Sequence, residues 1–140
     1  MSAVVLDASM TMAWFFEGEL TDTARQALWS VTQEGAVVPA IWHAEIANAL
    51  AMGLRRNRID EAFCTDCFND LRQMDIVTDP ETNARLWTET MGLATRHRLS
   101  VYDAAYLELA GRLGLPLATL DRALAHAANV AGVNVFGGAA

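Results

Sequence analysis

Apolar residues along this chain fall into short unbroken runs that alternate with longer stretches spaced at three and four residues. Ala3-Val4-Val5-Leu6 is a run that stops at Asp7, and residues 9–16 are apolar on nearly every side, so a buried strand feeds a helix. Over 21–34 the spacing of Ala24, Leu28 and Val31 predicts a helix that Gly35 closes, and Ala36-Val37-Val38-Pro39 predicts a second strand. Residues 41–55, rich in Ala, Leu and Ile, predict the next helix; another from about 59 to 72 leads to a strand at 74–77. Asp79-Pro80-Glu81 has the form of a helix start, with Asp as cap and Pro first, and that helix is expected to reach about residue 97. A helix from Ser100 to Gly111 or beyond follows, then a strand at 115–119, a helix at 121–129 and a short strand at 134–136. Short strands alternating with longer helices imply parallel pairing, because parallel neighbours need a crossover; the expected class is α/β, a short parallel sheet with helices on both faces.

At 140 residues and 53% apolar composition the chain can bury one good core and is too short for two ordinary domains. Residues 1–136 therefore read as a single domain, with 137–140 a frayed tail. No run approaches the roughly 18 apolar residues of a membrane span, and no basic region followed by a long apolar segment opens the chain. With only Cys64 and Cys67 as cysteines, the expected location is a reducing cytoplasm.

The formal net charge of −7 opposes approach to a polyanion. Setting four carboxylates aside for cations leaves −3, and Arg55-Arg56-Asn57-Arg58 and Arg96-His97-Arg98 are local basic clusters. These clusters are placed either to guide nucleic-acid phosphates or to complement the dipole at a helix C-terminus. All ten cationic residues are Arg, so Schiff-base chemistry and Lys-dependent phosphate loops are excluded.

Functional groups in an open parallel sheet gather at the carboxyl ends of its strands, and Asp7 and Asp121 fall there. Asp103 lies in the first turn of the helix capped by Ser100, and Glu45 sits among apolar neighbours well inside its helix. Helix capping accounts equally for Asp7 and Asp121, and Ser100-Val101-Tyr102-Asp103 has the spacing of a capping-box variant. Glu45 escapes that explanation; its alternative is a solvated place on the outer helix face. Taken together, four carboxylates are hard oxygen ligands suited to Mg²⁺ or Mn²⁺, and such a site activates water against a phosphodiester without a protein nucleophile.

Several segments resemble PIN-domain ribonucleases, and most closely the VapC toxins of type II toxin–antitoxin pairs. They are Val4-Val5-Leu6-Asp7-Ala8-Ser9 with Trp14 downstream, Pro39 to Leu50 with Glu45 and Asn48, Ser100 to Ala110 with Tyr102-Asp103-Ala104-Ala105-Tyr106, and Leu117-Ala118-Thr119-Leu120-Asp121. The resemblance implies a three-layer α/β/α sandwich, a Mg²⁺ or Mn²⁺ site made by Asp7, Glu45, Asp103 and Asp121, and endonucleolytic cleavage of RNA. It also implies a homodimer, a small VapB-like antitoxin as partner, and a role for Ser9, Asn48 and Thr119 in orienting ligands or water; for Ser9 and Thr119 ordinary backbone capping is the alternative.

Two other readings compete with this one. A phosphatase of the haloacid dehalogenase type also opens on an apolar strand ending in Asp, but needs D-x-D and a Lys, whereas Ala8-Ser9 follow Asp7 here. A non-enzymatic acidic interaction module is the other; a receiver-like version again wants Lys. Cys64-Thr65-Asp66-Cys67 reads as core on a helical stripe with Ile59, Phe63, Leu71 and Met74. His43, His97 and His126 are scattered without ligand spacing. Met10, Met12, Trp14, Phe15 and Phe16 are too many for one buried helix face, so part of that segment is expected to meet another chain.

Overall fold

The computed structural model describes residues 2–138; of the tail expected at 137–140, residues 139 and 140 lie outside the described residues. Four short strands, β1 (Val4–Leu6), β2 (Ala36–Val38), β3 (Ile76–Thr78) and β4 (Leu117–Ala118), form one parallel sheet in the order β3-β2-β1-β4. Val4, Val5 and Leu6 are all buried, as a central strand covered on both faces requires. Between the strands run α1 (Ala8–Ala13), α2 (Asp22–Glu34), α3 (Ile41–Arg55), α4 (Glu61–Arg72), α5 (Thr82–Arg85), α6 (Met91–His97), α7 (Val101–Leu113) and finally α8 (Arg122–Val130). The result is the α/β sandwich anticipated, with α7 lying against β1 and β4 and itself covered by α6 and α8.

Gly35 closes α2 with φ +81, and a Cβ there would meet the Asp75 carbonyl at 2.8 Å, so the entry to β2 admits only glycine. The segment 9–16 departs from expectation. Its helix stops at Ala13, and Met10, Thr11, Met12 and Ala13 are all buried within this chain. Trp14 is buried too, its indole N–H donating to the Ala24 carbonyl at 2.9 Å, while Phe15 and Phe16 pack against the same core. Most of the apolar surplus is absorbed by neighbouring elements, among them α2 and α3, and Phe15 and Phe16 stay partly exposed.

The long helix expected from Asp79 to residue 97 is also revised. Residues 80 and 81 form a turn, α5 starts at Thr82, and a π-helical turn over Leu86–Thr90 separates α5 from α6. The wider turn changes which residues face inward: Thr82, Thr90 and Ala94 are buried while Trp87 stands 89% exposed. The strand expected at 134–136 shrinks to a single parallel bridge between Val135 and Leu117.

Because β2 and β4 flank β1 on opposite sides, the winding of the chain reverses about β1, and in an open parallel sheet the carboxyl ends of the strands at such a point are where functional groups gather. Asp7 follows one of these strands and Thr119 the other.

Candidate metal centre

Register places the first acid. Leu6 pairs with Ala118, so Asp7 comes to lie beside Thr119, and the Asp7 N–H donates to the Ala118 carbonyl at 3.1 Å. The Asp7 carboxylate, 4% exposed, accepts from Ser9 Oγ at 2.8 and 3.0 Å, from the Met10 N–H at 2.8 Å and from the Thr119 hydroxyl. Thr119 Oγ1 in turn accepts from the Asp121 N–H at 3.0 Å, and Ser9 Oγ from the Leu120 N–H at 3.0 Å. Two hydroxyls thus tie the ends of β1 and β4 together. Ser9 and Thr119 both touch Asp7, whereas Asn48, exposed on α3, donates its amide to Met52 Sδ at 3.7 Å and not to an acid.

Asp7 and Asp121 are helix caps as well. Asp7 caps α1 through Met10, and Asp121 caps α8 by accepting from the Leu124 N–H at 2.9 Å. Capping fixes each carboxylate just beyond the carboxyl end of its strand, so the capping expected of both residues is present in the fold. Asp103 occupies the first turn of α7, where the Ser100 hydroxyl accepts its N–H at 3.0 Å and the helix dipole favours an anion. Glu45 is not on the outer face of α3: it is half-buried on the flank between buried Trp42 and Ile46, and Tyr106 on α7 donates its hydroxyl to Glu45 Oε1 at 2.5 Å.

The charges feel one another, with Asp103 at the centre. Burial pushes Asp7 up to about 6 against the pull of the Thr119, Met10 and Ser9 hydrogen bonds, and the Asp103 charge adds to the rise. Burial raises Glu45 too, opposed by the Tyr106 hydrogen bond and reinforced by Asp103. Asp103 is raised by burial and then by the charge of Asp121, against the Ser100 hydrogen bond. Burial and the Glu45 hydrogen bond hold the Tyr106 phenol far above its ordinary range, so it stays a donor. Among the described residues no group of three or more His, Cys, Asp or Glu side chains is arranged to hold an ion. Each of Asp7, Glu45 and Asp121 is instead turned toward a neutral donor. The donor chemistry nevertheless fits a hard divalent cation: all four are carboxylates, Asp7 buried, Glu45 and Asp103 half-buried and Asp121 exposed, and neighbouring like charges are what such an ion relieves.

A pH dependence follows. A carboxylate raised in the folded state from 3.8 to about 6 destabilises the fold as pH climbs above about 4 and through 6, by roughly 2–3 kcal/mol at pH 8 in chelator. Asn caps a helix as well as Asp does. Asp7→Asn is therefore expected to match the original protein in melting at pH 4 and to exceed it at pH 8; an equal difference at both pH values would refute the shift.

Sequence reasoning missed Tyr106 as a contact of Glu45, though its place three residues after Asp103 on one helix face was visible. It also missed Thr11, whose buried hydroxyl donates to the Asp7 carbonyl at 2.7 Å and accepts from the Trp42 indole at 3.0 Å, linking α1 to the helix that carries Glu45. Cys64 and Cys67 are free and buried, and burial pushes the Cys67 thiol up to about 11, as expected of inert core residues.

Comparison with known proteins agrees with this geometry. The family model described as PIN domain matches residues 4–130. Ribonuclease VapC3 of Pyrobaculum aerophilum is 30% identical over 123 residues, spanning 88% of this chain and 92% of that protein. The crystal structure of PAE2754, also from Pyrobaculum aerophilum, matches with a TM-score of 0.67 at 26% identity, covering 90% of this chain and 84% of that one.

Proposed function

Since the chain belongs to the PIN-domain family, we propose that it is an endoribonuclease that hydrolyses RNA phosphodiester bonds with Mg²⁺ or Mn²⁺ held by Asp7, Glu45, Asp103 and Asp121. What supports this reading is the placement of the four acids: the Thr119 hydroxyl joins the Asp7 carboxylate to the Asp121 backbone, and Asp103 stands one turn before the Tyr106 that bonds Glu45. A divalent cation held there supplies Lewis acidity toward the phosphodiester and makes water a stronger acid. Ser9 and Thr119 hold the Asp7 carboxylate in one orientation, and the Ser100 cap holds the first turn of α7 beneath Asp103. The chain needs no Ser, Cys or His nucleophile for this chemistry, and cleavage leaves a 5′-phosphate and a 3′-hydroxyl.

Arg55, Arg56 and Arg58 support an RNA substrate. They are exposed at the end of the Glu45 helix, roughly 15 Å beyond Glu45, and take part in no ion pair among the described residues. The same reading makes the protein a cytoplasmic toxin, a homodimer inhibited by a VapB-like antitoxin, with residues 1–136 its one PIN domain; the Pyrobaculum aerophilum relative bears the name Ribonuclease VapC3. No helix among the described residues is long and apolar enough to cross a membrane.

The test uses purified protein with pools of transfer, ribosomal and messenger RNA. Cleavage is expected with Mg²⁺ or Mn²⁺, and excess chelator is expected to abolish it. Undiminished cleavage in chelator, or no cleavage of any pool with either ion, refutes the proposal.

A further inference from the structure

Tyr106 is the largest fully enclosed side chain among the described residues, 1% exposed. A ring of that size serves packing as well without its oxygen, and an enclosed hydroxyl is costly unless it is bonded. The hydroxyl is spent on one contact, reaching from α7 to Glu45 Oε1 on α3, across 61 residues of sequence. Asp103 lies one turn before Tyr106 on the same helix face. One face of α7 thus carries both an acid of the proposed site and the donor that grips another.

We propose that Tyr106 is a positioning residue whose hydroxyl holds the Glu45 carboxylate within electrostatic reach of Asp103, ready to bind a divalent cation. This rests on the reading of the four acids as a cation site. A glutamate on the flank of a helix has several rotatable bonds, and an ion that must immobilise it binds more weakly than one that finds it in place. The donor is also neutral. An Arg at position 106 would satisfy Glu45 by cancelling the charge an incoming cation needs, and the arginines that do pair with buried acids, Arg85 and Arg112, engage Asp79 and Glu108 instead. The phenol occupies one carboxylate oxygen and leaves the charge.

The experiment measures Mn²⁺ binding by calorimetry on chelator-treated protein without RNA. Tyr106→Phe is expected to weaken Mn²⁺ about 10- to 100-fold, and to change affinity less than about twofold once Glu45→Ala is present, because its effect runs through Glu45. Equal affinity of Tyr106→Phe and the original protein, whatever the melting temperature does, overturns the positioning role alone. An original protein that binds no Mn²⁺ overturns the cation site and this role together. A second measurement needs no variant at position 106. The chain has two tyrosines, Tyr102 and Tyr106, so ¹³C at the phenol carbon gives two signals, which Tyr102→Phe assigns. The Tyr106 signal is expected to move on Mg²⁺ titration with the midpoint of ion binding; a signal unmoved at saturating Mg²⁺ overturns the proposal.

Discussion

Asp103→Asn is expected to lower Mg²⁺-dependent RNA cleavage by about 1,000-fold or more, roughly 4 kcal/mol of transition-state stabilisation, while the protein stays folded. Asp103 is the acid whose charge reaches Asp7 and Glu45 and which is itself raised by Asp121, so its loss weakens the set more than its own share. The fold is spared because the Ser100 cap accepts the backbone N–H of residue 103 and not its side chain. In chelator the variant should melt slightly higher than the original at pH 8, since one source of like-charge repulsion is gone. A gain from added Mg²⁺ in melting temperature should shrink in the variant, because a ligand stabilises only as far as it binds the folded state. Cleavage within tenfold of the original would remove Asp103 from the site.

The largest effect on stability is expected at Arg112→Ala, about 3–5 kcal/mol at pH 7 by urea denaturation. Arg112 Nη2 pairs with Asp79 Oδ2 at 2.7 Å and its Nε with Glu108 Oε2 at 2.9 Å, the three side chains being 14%, 6% and 5% exposed. The fork ties α7 to the end of β3, and its loss strands two buried carboxylates, with Arg85 at 3.9 Å a poor substitute for Glu108. Burial works to raise Asp79, but the Arg112 hydrogen bonds, the Thr82 hydroxyl and the Arg112 charge outweigh it and hold Asp79 below the ordinary carboxylate range. A carboxylate lowered in the folded state stabilises above its unfolded value and loses that contribution as pH falls. The penalty of Arg112→Ala should therefore shrink toward pH 3, where protonated acids no longer need a cation. Arg112→Lys should fall between the two, keeping the charge without the fork. A loss under about 1 kcal/mol for Arg112→Ala at pH 7 would show that the network is not a support of the fold.

Neither Asp79 nor Glu108 announced this pairing. Asp79-Pro80-Glu81 reads as a helix start, and the structure instead turns the Asp79 carboxylate to Arg112, 33 residues away, and to the Thr82 hydroxyl at 2.7 Å. A short polar side chain before a helix satisfies backbone donors by default, but a guanidinium brought in by another helix is the stronger donor. The apolar segment 9–16 is buried within this chain to a greater extent than its spacing suggests, for a related reason. Helical spacing counts how many apolar residues a helix carries, and says nothing of how many neighbours converge on it; the core closes around Met10, Met12 and Trp14 and leaves Phe15 and Phe16 partly exposed.

What the sequence determined by itself is what local chemistry controls. Strand and helix punctuation lies in residues adjacent in the chain, so β1 ending at Asp7, α3 over Ile41–Arg55 and α7 opening at Ser100 were legible with nearly their observed bounds. With a parallel sheet implied, Asp7 and Asp121 had to fall at carboxyl strand ends. Tertiary structure decided which surfaces meet. It set the Tyr106 hydroxyl on Glu45, the Thr119 hydroxyl on Asp7, and Arg112 between Asp79 and Glu108, across 61, 112 and 33 residues for the three contacts between distant segments. It also turned five residues of the expected long helix into a π turn. Such contacts depend on how packed helices rotate and slide against a sheet, and many side chains compatible with one helical period are compatible with many partners, so only the assembled core selects among them.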